Sequence, residues 1–161
     1  EGEEHYRKYA GTPPVHLMYA LRAALDMIFT EGLENAHERH RLLAESVRHA
    51  VSVWANKGAL SFNVAAAGER SNTVTTVRVE SDGTAVKLQE YCKTKCGVVL
   101  GTGIGALSGK AFRIAHMGHV NAPMVLGTLG VIEIGLTALK IPHGAGGVQA
   151  ATKYLGDNVP A

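Results

Sequence analysis

Gly101-Thr-Gly-Ile-Gly-Ala-Leu-Ser-Gly-Lys-Ala-Phe-Arg-Ile-Ala-His-Met-Gly-His119 is a glycine-rich run that ends in an apolar segment carrying one arginine. A glycine run of this kind suggests a dinucleotide loop, but that fingerprint must open a helix inside a βαβ unit. Here the run leads into Phe112-Arg113-Ile114-Ala115, and the third glycine falls one place early. Ala111–Ala115 therefore reads as a strand, and the glycines as a loop that lets backbone approach a ligand closely. In a strand, Phe112 and Ile114 share one face and Arg113 points to the other. A guanidinium beside apolar neighbours needs an anionic partner, and its planar fork fits a carboxylate with two parallel hydrogen bonds. Three readings stand at this point: a substrate carboxylate clamp, an internal salt bridge, or an exposed edge-strand arginine.

Working outward, the order of elements is α-α-β-β-α-β-β-α. Apolar residues at helical spacing predict a helix from Val15 to about Thr30, ended by Gly32. A second runs from about Leu33 to Asn56, with Leu42, Leu43, Val47, Val51 and Trp54 on its stripe. Its opposite face, Glu34, Glu38, Arg41, Glu45 and Arg48, reads as solvated. Ala59–Ala66 and the β-branched Thr73–Val79 read as strands. A third helix covers about Thr84 to Lys95 and stops at Gly97. Val98–Leu100 reads as a short strand. Asn121-Ala122-Pro123 opens a long apolar helix to Leu139, and the Gly/Ala-rich tail 142–161 holds a short helix near Val148–Leu155. Strands partly joined by a hairpin predict an α+β fold, with helices covering a small, mostly antiparallel sheet.

Length and composition fit one ordinary globular domain: 161 residues, 46% hydrophobic and 19% charged. A net charge of +2 without a basic cluster argues against nucleic acid. No apolar run reaches the length of a membrane span. Two cysteines, Cys92 and Cys96, suit a reducing cytoplasm. Four apart on a helix, they lack the two further ligands a metal would need, so no metal site is predicted. His37 and His40 fall on the polar helix face, and His116 and His119 read as loop hydrogen-bond partners. No Ser/His/Asp arrangement or poised carboxylate pair is visible. A second anchor is Tyr9-Ala-Gly-Thr12-Pro-Pro14, a phenol and a hydroxyl on a proline-stiffened arm. Both could donate hydrogen bonds to an anion such as phosphate, or the segment could be a structural arm.

With both anchors in hand, the chain resembles the C-terminal part of a class V pyridoxal-phosphate aminotransferase of the alanine/serine–glyoxylate type. The matching stretches are Tyr9–Arg22, Glu31–Asn35, Arg39–Glu45, Arg70–Val77, Gly101–His119 and Asn121, collinear over nearly the whole chain. The tail Ile141-Pro-His-Gly-Ala-Gly-Gly-Val148 is similar to the serine–glyoxylate and ureidoglycine–glyoxylate branches. The resemblance implies the small C-terminal domain of a fold-type I enzyme over residues 15–161, with residues 1–14 as an arm at the large-domain junction. It implies that Arg113 binds the substrate carboxylate. It also implies a homodimer in which Tyr9 and Thr12 reach the cofactor phosphate of the neighbouring subunit. One departure is Ala115, where relatives usually carry Gly.

Transamination also needs a Schiff-base lysine, an acidic partner for the pyridine nitrogen and a ring-stacking residue. In this family they lie upstream, on the large domain. None of the eight lysines here stands in the family's Ser-x-x-Lys context. The resemblance therefore implies a piece of an enzyme that transfers an amino group from serine, alanine or ureidoglycine to glyoxylate. Alone, the piece is expected to be inactive and to hold no cofactor. Two alternatives remain: another class V enzyme, such as a phosphonate aminotransferase or desulfurase-like lyase, and a free-standing carboxylate-binding or subunit-interaction domain. A desulfurase needs a mobile cysteine, which a helical Cys92 or Cys96 would not be. Excess exposed apolar surface on the first helix would argue against the free-standing domain.

Overall fold

The computed structural model describes residues 11–158. The chain divides into two compact units, Glu1–His37 and Glu38–Ala161.

In the first unit, α1 runs Val15–Glu31. Gly32 ends it with a positive φ of 88° and donates its N–H to the Ile28 carbonyl at 2.8 Å. Such a φ is open to glycine at little cost. None of the residues of α1 is buried. Leu17, Tyr19 and Phe29 are 70%, 74% and 75% exposed. The next helix, α2, begins here at Leu33 and runs on to Ala55 in the second unit.

The second unit carries a four-stranded sheet, β1 (Leu60–Phe62), β2 (Val74–Val79), β3 (Gly101–Thr102) and β4 (Ala111–Ala115). Its order is β1-β2-β4-β3, antiparallel at every pairing. Helices α3 (Thr84–Cys96), α4 (Ala122–Ala138) and α5 (Gly147–Asn158) complete it. The inward residues Leu60, Val77, Val79, Phe112 and Ile114 join one core with Val47, Val51 and Trp54 of α2, Leu88 of α3 and Leu129, Ile132 and Leu136 of α4. Helices thus cover one face of the sheet, as the alternation in Ala111–Ala115 requires.

Local chemistry sets the helix ends. Asn121 caps α4, its side-chain oxygen accepting from the Met124 N–H at 3.1 Å. Gly97, at φ 71°, closes α3, its N–H reaching the Lys93 carbonyl while the Val98 N–H reaches that of Cys92. The Glu133 carboxylate on α4 ties down the tail: it accepts from the Trp54 indole at 3.1 Å and from the N–H groups of Gly146 and Val148 at 3.2 and 3.0 Å. The tail is glycine-rich because it packs backbone against α2. A Cβ on Gly147 would stand 2.1 Å from the Trp54 indole nitrogen, and one on Gly144 would stand 2.1 Å from the Val53 carbonyl oxygen.

Three expectations need correction. The third strand is Gly101–Thr102, not Val98–Leu100: Val98 closes the helix cap, and pairing with β4 begins only at Gly101. The first strand is confined to Leu60–Phe62, because the chain turns into a single 3-10 turn at Ala67–Glu69. Arg48 is not on a solvated face but 6% exposed.

Candidate functional site

Arg113 sits on β4, an inner strand flanked by β2 and β3. It pairs with Thr76 across one ladder and with Gly101 across the other. Phe112 and Ile114, 0% and 2% exposed, anchor the strand in the core and leave Arg113 half-buried on the opposite face. Its Nε–H donates to the Thr102 carbonyl at 2.7 Å. That bond uses the inner edge of the guanidinium and fixes its plane. The terminal nitrogens Nη1 and Nη2 have no partner among the described residues. They form the pair of parallel donors that suits a carboxylate. The internal salt bridge is therefore not what this arginine makes: no carboxylate faces it among the described residues.

The glycine run serves this arginine directly. A Cβ on Gly101 would approach Arg113 Cβ at 3.1 Å and its Nε at 3.4 Å. A Cβ on Gly103 would stand 2.0 Å from the Leu107 carbonyl oxygen. Residues 103–110 form a closed loop, with Gly103 N–H on the Ala111 carbonyl and Lys110 N–H on the Leu107 carbonyl. Gly101 and Gly103 thus let the arginine and the loop's own backbone pack. Gln89 of α3 adds a bond that the sequence reading missed, from its Nε2 to the Gly101 carbonyl at 2.8 Å. The signal was present: Gln89 adjoins the buried stripe Ala85, Leu88 and Cys92.

A buried polar cluster supports β2 and β4 from the core side. His116 is 0% exposed. Its Nδ1 lies 3.1 Å from the Asn72 carbonyl, which can only accept, so Nδ1 carries the proton. Nε2 then accepts from the Thr75 hydroxyl at 2.9 Å. Burial pushes the imidazole pKa down to about 4, so the ring stays neutral. Arg48 pairs with Glu45 and donates through Nη2 to the carbonyls of Arg70 and Ser71 and to Asn72 Oδ1, at 3.2, 2.8 and 3.1 Å. Arg70 in turn lies 3.7 Å over the Phe62 ring and holds the Val64 and Ala65 carbonyls. These contacts fix the loop that feeds β2. His116 is thus a hydrogen-bond partner, as its position suggested, and so is His40, whose Nε2 lies 3.0 Å from the Gly118 carbonyl.

Relatives match nearly the whole chain. It is 37% identical over 150 residues to a serine–glyoxylate aminotransferase of Methylorubrum extorquens, covering 91% of this chain and 36% of that protein. With a serine–glyoxylate aminotransferase of Arabidopsis thaliana it shares 39% identity over 150 residues, covering 92% and 36%. The structure superposes on a pyridoxamine–pyruvate aminotransferase of Mesorhizobium loti with a TM-score of 0.80 at 31% identity, covering 92% of this chain and 37% of the other. Along nearly all of its length, this chain is thus similar to part of these aminotransferases. No protein-family model matches it. The chain spans about a third of the length of the relatives it matches.

Thr12 is exposed, and its hydroxyl makes no hydrogen bond to the described residues. Tyr9 lies outside them. Cys92 is buried, its thiol pushed up to about 11 by burial, which makes it a poor nucleophile. No group of three or more metal-ligating side chains occurs among the described residues. Nor is any described helix long and apolar enough to cross a membrane.

Proposed function

We propose that this chain is the C-terminal part of a pyridoxal-phosphate aminotransferase that moves an amino group from serine, alanine or ureidoglycine to glyoxylate. The observation that carries the reading is the fork of Arg113, held by one hydrogen bond at Nε and open at both terminal nitrogens. Donor and acceptor share a carboxylate. One fixed fork therefore grips both in turn and orients the carbon beside the carboxylate in the same place. The bond to Thr102 keeps the guanidinium from turning, so the grip carries direction as well as charge.

Pyridoxal phosphate, when bound, supplies the electron sink for this chemistry. Among the described residues, Thr12 offers an exposed hydroxyl toward its phosphate. We assign Tyr9 and Thr12 to the cofactor phosphate of the partner subunit in a homodimer. We assign residues 1–14 to an arm at the large-domain junction and 15–161 to the small domain. The two free cysteines, Cys92 and Cys96, support a cytoplasmic setting.

A free-standing domain fits less well. An α1 with no buried residue exposes an apolar surface that a solitary domain would have to leave in water. The test is an amino-transfer assay on the full-length protein, offering each of the three donors with glyoxylate. The proposal predicts glycine together with the keto acid of at least one donor. No glycine from any of them would sink it.

A further inference from the structure

We infer that Gln89 is a positioning residue for the carboxylate-binding fork of Arg113, acting through the edge strand β3. The inference rests on the carboxylate reading of Arg113. β3 is two residues long and lies at the sheet edge, so on one side only the β4 ladder holds it. Gln89 supplies the other hold, its Nε2 donating to the Gly101 carbonyl at 2.8 Å. The very next carbonyl, Thr102, accepts the Arg113 Nε–H at 2.7 Å. Gly101 itself lies under the arginine, where an added Cβ would touch Arg113 Cβ and Nε.

These contacts form one short chain from α3 to the guanidinium. Helix α3 is fixed by Ala85, Leu88 and Cys92, each 0% exposed. Gln89 carries that fixed position to the Gly101–Thr102 peptide, and the Thr102 oxygen sets the guanidinium plane. If Gln89 lets go, the edge peptide can rotate or slide along β4, and Nη1 and Nη2 lose their aim. Gln89 does not touch the substrate. Its effect is on how accurately the carboxylate is gripped, and small misplacements of a positioning group are costly.

Gln89→Met and Gln89→Glu in the full-length protein test this, because both keep the side chain's length and shape. Methionine removes the donor, and glutamate turns a carboxylate oxygen toward the Gly101 oxygen. KM for glyoxylate should rise roughly tenfold in Gln89→Met and further in Gln89→Glu, with kcat less affected. A side chain that merely packs would give equal effects in the two variants, and that result would overturn the inference. So would a wild-type KM in both, if Arg113→Met in the same protein raises it. If Arg113→Met leaves KM unchanged as well, the carboxylate reading itself fails, and this inference with it. Thermal melts of each variant separate loss of fold from loss of aim: a KM rise only in proportion to lost Tm also counts against it.

Discussion

Replacing Arg48 with methionine isolates the polar cluster that holds the loop ahead of β2. The guanidinium is 6% exposed, pairs with Glu45, and reaches three acceptors at Arg70, Ser71 and Asn72. Hydrogen bonds to a charged group contribute about 1.5–3 kcal/mol each when fully desolvated. These are not: Ser71 and Asn72 are exposed, and the Glu45 side chain keeps 34% of its exposure, so water re-satisfies much of what is lost. Nε of Arg48 is buried without a partner, and methionine removes that cost. The balance is a loss of roughly 2–3 kcal/mol, at or below the bottom of the range for breaking a fully buried pair. In urea this moves the midpoint down by about 1 M, given slopes of roughly 2 kcal/mol per M. Arg48→Lys keeps the charge but only one nitrogen, and should fall between the two. Equilibrium urea unfolding followed by circular dichroism gives all three values. A loss under about 0.5 kcal/mol in Arg48→Met would refute the reasoning, because that is the range of an ordinary surface change.

His116 should titrate at about 4, readable from its ring carbon signals by NMR; a value near 6.5 would show that the ring is not buried. The folded value is depressed, so between about 6.5 and 4 the unfolded chain binds the extra proton, and stability falls as pH drops through that window. The full effect is on the order of 3 kcal/mol, absent above the unfolded pKa. Gly147→Ala should displace α5 from the indole of Trp54, the chain's single tryptophan, and break its bond to Glu133. We expect a red-shifted fluorescence maximum and a loss of about 1–3 kcal/mol; an unchanged spectrum and midpoint would mean that the tail packs elsewhere.

Where one rule governed an element, the sequence showed it. Alternation placed Phe112 and Ile114 inward and Arg113 outward, and the structure agrees. Asn121 and Gly97 marked helix ends through cap chemistry that depends on near neighbours alone. Reading failed where the partner lay far away in the chain. Arg48 looked solvated because its helix neighbours are charged, yet its acceptors are some twenty residues downstream. Gly101–Thr102 looked like loop because glycine disfavours strands. Only the need to lie beneath Arg113 makes glycine suit this strand. For the candidate site, the placement of Arg113 opposite the core was legible from its setting between two apolar residues. The open state of its fork was not, since that depends on which end Thr102 engages. Gln89 was visible only as a polar residue beside an apolar stripe, a signal that many surface helices share.

The most direct measurement is kcat/KM of the full-length protein with Arg113→Lys, for glyoxylate and for the best amino donor. Lysine keeps a positive charge but cannot make two parallel hydrogen bonds. The account predicts a loss of about 2–4 kcal/mol in transition-state binding for both substrates, which is roughly 30- to 900-fold in kcat/KM. A kcat/KM unchanged for both, in a protein that still transfers amino groups, would contradict it.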